Sequence, residues 1–239
     1  MNILVTGGGT KVPIDSVRSI TNMSTGNFAA RISIALMEKH TWSSFVYFGA
    51  KGGKFPFQYT KDLYNHDELC KTEIQALLRA YDTHKYYYKQ FEYTDYDDYA
   101  SRLYELVRKA NIVVLAAAVS DYTVVNTVDG KIRSSNDMSI ALTRATKLIG
   151  KVKQWNPKCK LVGFKLLVNS TDEELVDAAR RSINKNRCDV VVANDLRDIK
   201  AGEHRLLIVT RNGVEEYKTD HKNKNYLANI VAKEVIKLL

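Results

Sequence analysis

Ile112-Val113-Val114-Leu115-Ala116-Ala117-Ala118-Val119 is a run of eight successive apolar residues. A strand that is apolar on both faces cannot lie at a solvated surface. It belongs in the middle of a sheet covered on both sides, which in proteins is a parallel sheet clothed by helices. The flanking pattern agrees. Residues 2–6 read as a strand, 24–40 as a helix, 43–48 as a strand, 97–110 as a helix, 161–164 as a strand, 171–186 as a helix and 189–193 as a strand. Strands alternating with helices predict a doubly wound, mostly parallel, Rossmann-like α/β sheet with helices on both faces. Asn212-Gly213 between two apolar segments predicts a two-residue β-hairpin. Leu227, Ile230, Val231 and Val235 give the last helix, about 223–239, an apolar face that packs on the sheet.

The chain has 239 residues, a length that α/β folds commonly use as one unit, so one domain spanning 1–239 is expected. It contains no run of apolar residues long enough to span a bilayer and starts directly on a strand, which predicts a cytoplasmic protein. Cys70, Cys159 and Cys188 are too widely spaced for a disulfide framework or a metal knuckle and read as buried, idle thiols. The formal charge of +9 admits a polyanionic partner. The basic residues are spread along the whole chain, however, with no basic helix or RNA-binding signature, so a small phosphorylated substrate fits better than nucleic acid. The tyrosine-rich stretch from Lys54 to Tyr96 reads as surface structure, with rings half-buried on an edge strand.

Chemistry is expected where strands end. The first strand, Leu4-Val5-Thr6, runs into Gly7-Gly8-Gly9-Thr10, and Asn22-Met23-Ser24-Thr25-Gly26 then opens a helix. Glycines let backbone N–H groups close on an anion, and a helix N-terminus favours negative charge. Open parallel sheets bind ligands beyond the carboxyl ends of their strands. The segments following successive strands are Gly7–Thr10 and the loop from Arg18 to Asn22, then Ser120-Asp121-Tyr122, Lys165, and Asn194-Asp195. Their convergence on one edge is a stronger signal than any one motif. Asp121 can accept hydrogen bonds from a ligand hydroxyl or amide, or cap a helix. Lys131 follows the turn dipeptide Asp129-Gly130 and is expected on a hairpin reaching over the crevice. Arg181 and Lys185, four apart, share a helix face.

These segments resemble a known family over nearly the whole chain. Residues 8–26, Ala-Ala-Ala-Val-Ser-Asp-Tyr (116–122), Lys131-Ile132, Trp155-Asn156-Pro157, Gly163-Phe164-Lys165-Leu166 and Val192-Ala193-Asn194-Asp195 occur in the order and spacing of phosphopantothenate–cysteine ligases, and the chain looks like the free-standing bacterial type. The resemblance implies that CTP, with ATP as the alternative, activates 4′-phosphopantothenate as an acyl-nucleotide in the presence of Mg²⁺, after which the cysteine amine forms an amide. It implies Asn22 and Lys131 as catalytic residues. It implies that Gly8, Thr25, Gly26, Asp121, Lys131, Thr146, Lys147, Leu148, Ile149, Phe164, Arg181 and Lys185 bind the nucleotide, and that Arg18, Asn22, Ala117, Ala118 and Asp121 bind phosphopantothenate. Asn194 is a further contact implied by the same comparison, and a homodimer is implied as the working assembly. The chain departs from the family at Ala29, Arg181 and Leu167-Val168, which bears on nucleotide choice more than on reaction type.

Two other readings compete. A short-chain dehydrogenase needs a Tyr-x-x-x-Lys pair after the central strands, whereas Tyr47…Lys51 and Tyr81…Lys85 both precede residue 112. The second strand ends Tyr47-Phe48-Gly49, without the acidic residue that reads a ribose hydroxyl. A nucleotide-binding protein without catalysis is the other alternative, and it is separated by assay.

Overall fold

A computed structural model describes residues 1–40, 43–58, 79–83, 85–134, 137–201, 204–219 and 225–239. In chain order the elements are β1 (Asn2–Gly7), β2 (Lys11–Pro13), β3 (Ser19–Thr21), α1 (Asn27–Lys39), β4 (Ser44–Ala50), β5 (Tyr88–Tyr93), α2 (Tyr96–Arg108), β6 (Ile112–Leu115) and β7 (Tyr122–Val124). They continue with β8 (Leu142–Arg144), α3 (Ile149–Trp155), β9 (Lys160–Leu167), α4 (Asp172–Asn186), β10 (Val190–Asp195), α5 (Leu196–Ala201), β11 (His204–Val209), β12 (Val214–Thr219) and α6 (Tyr226–Ile236).

The main sheet has eight strands in the order β12-β11-β10-β9-β6-β1-β4-β5. Strands β5 to β10 pair parallel, and β11 and β12 add an antiparallel edge. The chain therefore winds outward from β1 in one direction through β4 and β5, then crosses back to β6 on the other side. The doubly wound expectation holds. β2–β3 and β7–β8 form two small antiparallel hairpins outside the sheet.

Alternation along the central strands builds two cores. Ile3, Val5, Ile112 and Val114 face α1 and α6, while Leu4, Val113 and Leu115 face α2, α3 and α4. Burial of both faces is what the apolar run at 112 required. Helix starts are chemically marked: Asp95 accepts from Asp98 N–H at 2.9 Å at the head of α2, and Thr171 forms a reciprocal capping box with Glu174 at the head of α4. Leu227, Ile230, Val231 and Val235 are buried as expected, against α1 as well as the antiparallel edge strands.

Several boundaries differ from the sequence reading for identifiable reasons. The strand expected over 112–119 leaves the sheet after Leu115, because Ala118 bonds to the glycine loop instead: its N–H reaches Gly8 O at 2.8 Å and its carbonyl accepts Thr10 N–H at 3.0 Å. The first helix starts at Asn27 rather than near 24, since Gly26 stands before it in the left-handed region, φ 81°. β9 and β10 are longer than expected, so Lys165, Asn194 and Asp195 lie within strands. Asn212-Gly213 belongs to a four-residue loop, Thr210–Gly213, closed by Thr210 N–H to Gly213 O at 3.0 Å, because the register pairs Val209 with Val214.

In the tyrosine-rich segment, Tyr88–Tyr93 forms the edge strand β5 with Tyr88 half-buried, Tyr86 and Tyr87 are exposed, and residues 59–78 lie outside the described residues. Cys159 and Cys188 are buried and unpaired, and Cys70 lies outside the described residues. Among the described residues no helix is long and apolar enough to cross a membrane.

Candidate active site

The strand order reverses between β1 and β6, which places a crevice at their carboxyl ends. Gly8 and Gly26 form its floor. Both have positive φ, 87° and 81°, and a Cβ built on Gly26 would lie 2.9 Å from Gly8 N, so the two backbones touch only because neither residue carries a side chain. Gly26 then caps α1 without a side-chain hydrogen bond, which puts the N-terminal end of the helix beside the glycine loop. Thr25, beside it, is exposed and accepts weakly from Asn27 N–H at 3.4 Å.

Asn22 is fixed at the switch point itself. Its amide Nδ2 donates to Ala118 O at 2.8 Å and approaches Ser120 Oγ at 3.4 Å, while its N–H reaches Thr10 O at 3.3 Å. Thr10 Oγ1 in turn accepts from Ser120 N–H at 2.9 Å and shares a hydrogen bond with Ser120 Oγ at 2.9 Å. With both amide hydrogens directed at protein acceptors, the Asn22 carbonyl oxygen is oriented by its own amide. Ala117 and Ala118 are half-buried beside it and keep the crevice wall low. Asp121, next to Ser120, is exposed and paired with Lys147, which is exposed as well; its carbonyl accepts Ala145 N–H at 2.9 Å. Asp121 caps no helix.

Lys131 stands elsewhere. The hairpin arms are Tyr122–Val124 and Leu142–Arg144, and Asp129-Gly130 is not a tight turn between strands; it lies in a long excursion that docks on the turn Ile14–Arg18. Val128 N–H reaches Ile14 O at 3.0 Å and Arg18 Nη2 donates to Ile132 O at 2.6 Å. Arg18 is thus occupied in holding residues 15 and 132, with Nε 3.4 Å from Asp15 Oδ2. Asn22 follows the base of the β2–β3 hairpin and Lys131 is strapped to its tip, a separation of roughly 10 Å along three antiparallel residues. Asn22 thus lies against Ser120, the neighbour of Asp121, while the Lys131 loop is strapped to the far end of the β2–β3 hairpin.

A second group of expected residues flanks the crevice on the α3–α4 side. Thr146 and Lys147 are exposed, Leu148 is buried and Ile149 half-buried as α3 begins, and the Tyr96 hydroxyl holds Thr146 O at 2.8 Å. Gly150 packs on Asn186 at the end of α4, which brings the 146–149 turn toward the later turns of α4, where Arg181 and Lys185 are exposed. Phe164, half-buried in β9, packs edge-on against Phe28 in the first turn of α1, centroids 6.2 Å apart. Asn194 is half-buried. Asp195 is buried, accepting from Ser170 N–H at 2.8 Å, Ser170 Oγ at 2.7 Å, Asn169 N–H at 3.1 Å and Arg197 N–H at 2.7 Å; these bonds, Ser170 N–H foremost, hold its carboxyl well below the usual range. It ties down the loop after β9.

A family model, the DNA/pantothenate metabolism flavoprotein C-terminal domain, matches residues 1–46 and 90–239. The chain belongs to that family. The chain is similar to the coenzyme A biosynthesis bifunctional protein CoaBC of Thermococcus kodakarensis, 30% identical over 99% of this chain and 51% of that protein. The chain spans about half the length of the bifunctional relatives it matches. The phosphopantothenate–cysteine ligase of Mus musculus is 28% identical over 90% of this chain and 77% of its own length. A solved DNA/pantothenate metabolism flavoprotein from Streptococcus pneumoniae superposes with a TM-score of 0.77 at 30% identity, covering 100% of both chains.

Sequence reasoning missed the residues that brace the crevice. Tyr93 OH donates to Gly7 O at 2.8 Å, Tyr99 OH to Thr6 Oγ1 at 3.3 Å, and Tyr47 OH to Lys54 O at 3.0 Å with Gly26 O at 3.3 Å. Tyr93 thus pins the start of the glycine loop, Tyr99 the end of β1 and Tyr47 the Gly26 carbonyl, and burial raises the Tyr93 and Tyr99 hydroxyls above the ordinary tyrosine range, leaving both as neutral donors. Asp15 was given no role, although it lies within the 8–26 segment that carries the family resemblance and two residues before Val17, the spacing of an Asx turn.

Proposed function

We propose that the chain is a single-domain phosphopantothenate–cysteine ligase acting in the cytoplasm in coenzyme A biosynthesis, with CTP as preferred nucleotide and Mg²⁺ as metal. The carboxylate oxygen of 4′-phosphopantothenate attacks the α-phosphorus, the bond to the β-phosphate oxygen breaks, and pyrophosphate leaves. The cysteine amine then attacks the acyl carbon of the anhydride, the acyl C–O bond breaks, nucleoside monophosphate departs and the amine loses a proton.

The observation carrying this reading is the fixed Asn22 amide at the switch point, flanked by glycine-loop and α1 amides on one side and Ala117–Asp121 on the other. Attack of one anion on another needs its charge neutralised in place, which preorganised amides and lysines supply without reorganisation. Asn22 holds the acyl intermediate through its side-chain oxygen, which accepts from a ligand N–H or O–H, and Lys131 stabilises charge at the α-phosphate. Gly8, Thr25 and Gly26 hold phosphate oxygens, and the 146–149 turn with Phe164, Arg181 and Lys185 holds the remainder of the nucleotide. Ala118 and Asp121 border phosphopantothenate, and Arg18 keeps the Lys131 loop in place beside it. Relatives named as phosphopantothenate–cysteine ligase support the substrate pair.

Among the described residues no three His, Cys, Asp or Glu side chains gather as a metal cage. That fits Mg²⁺ arriving on the triphosphate, whose oxygens and water fill most of its shell. Bound there, it neutralises phosphate charge.

A homodimer belongs to the same reading. Val17, Ile20, Met23, Val125, Val128 and Leu142 are exposed on the two small hairpins, the segment after β3 and the loop between β7 and β8, with Met23 95% exposed. So many exposed apolar side chains around one feature mark an interaction surface. A second copy covering them would bring another Lys131 loop toward the crevice.

Incubation with phosphopantothenate, cysteine and each nucleoside triphosphate in turn tests the reading. Pyrophosphate release that depends on phosphopantothenate, together with the product mass, is expected, fastest with CTP. Faster turnover with ATP would reverse the nucleotide assignment, and no release with any of them would overturn the ligase.

A further inference from the structure

Lys131 is held from both sides. The residue before it, Gly130, donates its N–H to Ser16 Oγ at 2.9 Å and accepts Ser16 N–H at 3.0 Å. The residue after it, Ile132, donates its N–H to Asp15 Oδ2 at 3.1 Å and accepts Arg18 Nη2 at 2.6 Å. Asp15 is 3% exposed, and a carboxylate buried to that degree is costly unless its oxygens are occupied. They are occupied differently. Oδ1 accepts Val17 N–H at 2.8 Å and Arg18 N–H at 2.7 Å, which is all that an Asx turn requires. Oδ2 instead serves a residue 117 positions away.

We propose that Asp15 is a positioning residue for Lys131: its second carboxylate oxygen, with Arg18 and Ser16, straps the 128–132 loop to the 14–18 turn and so fixes where the lysine enters the site. This rests on the reading of Lys131 as the residue that neutralises charge in the first half-reaction. The backbone N–H of Val17, then those of Arg18 and Ile132, together with the Arg18 charge, hold the Asp15 carboxyl below its ordinary range, so the strap is ionised at neutral pH.

Asp15→Asn separates the two oxygens. An asparagine keeps one acceptor for the turn and places an NH₂ where Ile132 N–H needs an acceptor. In amide hydrogen exchange on the free protein, Gly130 and Ile132 should exchange faster in D15N than in the wild type, while β1 and β6 amides stay unchanged. Unaltered exchange at Ile132 would overturn the strap whatever the enzyme does.

By rapid-quench measurement of anhydride formation, D15N should lose rate by roughly 10²-fold with KM little changed, as expected for a misplaced group. Its effect should also vanish in a K131Q background, because residues acting as a unit do not add. Multiplicative losses, or a wild-type rate in D15N, would overturn the proposal and leave the lysine reading standing. A wild-type rate in K131Q would overturn both, with the exchange data then reporting a loop clasp of purely structural use. Ser16→Ala, at an exposed position, removes the acceptor for Gly130 N–H alone and should shift exchange and rate in the same direction by less. It keeps the test open if D15N melts at working temperature.

Discussion

The Tyr93 hydroxyl donates to the Gly7 carbonyl at 2.8 Å, joining the end of β5 to the start of the glycine loop across 86 positions of chain. Tyr93 is fully buried and packs edge-on against Phe48 and Tyr99. Tyr93→Phe keeps the ring and strands the carbonyl, an expected cost of about 1–3 kcal/mol. Urea denaturation should show that loss, and steady-state kinetics should show a raised nucleotide KM. An unchanged midpoint would mean that water satisfies Gly7.

Lys147 and Asp121 form an ion pair with both side chains more than half exposed, at 64% and 60%. Exposed pairs contribute about 0.2–1 kcal/mol, so stability alone gives little reason for the pair. Lys147→Ala should therefore change the denaturation midpoint little while raising nucleotide KM, measured by initial rates at saturating phosphopantothenate. A stability loss without a kinetic effect would reassign Lys147 to the scaffold.

Asp195 predicts acid sensitivity. Its carboxyl is depressed in the folded protein from an ordinary value of 3.8, chiefly by the Ser170 N–H and further by the Ser170 hydroxyl and the Arg197 and Asn169 N–H groups. A depressed carboxyl contributes stability that is complete above the unfolded value and is lost as pH falls through it toward the folded one. Denaturation midpoints should hold between pH 7 and 5 and fall below about pH 4. In Asp195→Asn the neutral-pH midpoint should be lower and the acid decline shallower.

Burial pushes the Cys188 thiol up to about 11 and raises that of Cys159 as well. Both should stay unalkylated by iodoacetamide at pH 8 in the native protein and react once it is unfolded, since the thiolate is the nucleophile. Peptide mass mapping reads the result, and rapid native labelling at Cys188 would show that its packing opens.

Much of the scaffold was legible because its determinants are local. The apolar run at 112, the alternation of strand and helix, and the periodic apolar face of residues 227–235 each follow from a pattern a few residues long, and each reappears as an element. The boundaries that moved did so where a distant partner intervened. Ala118 left the strand to bond to Gly8 and Thr10, and Asn212-Gly213 yielded its two-residue turn to a register fixed by the pairing of Val209 with Val214.

The site divides in the same way. The glycine loop, Asn22 and Asp121 could be placed at one edge from strand order alone, because carboxyl ends of parallel strands share an edge whatever the side chains are. The Tyr93 and Tyr99 phenols under the loop and the Asp15 strap behind Lys131 could not, since each is a contact between segments 86 to 117 positions apart whose residue types look ordinary by themselves. Residue order therefore determined the architecture and the sheet edge at which the glycine loop and the strand-end loops meet, through hydrophobic pattern and glycine geometry. Folding in three dimensions decided which backbone groups are held rigid there, because a buried hydroxyl or carboxylate must find its partner wherever the packed chain brings one.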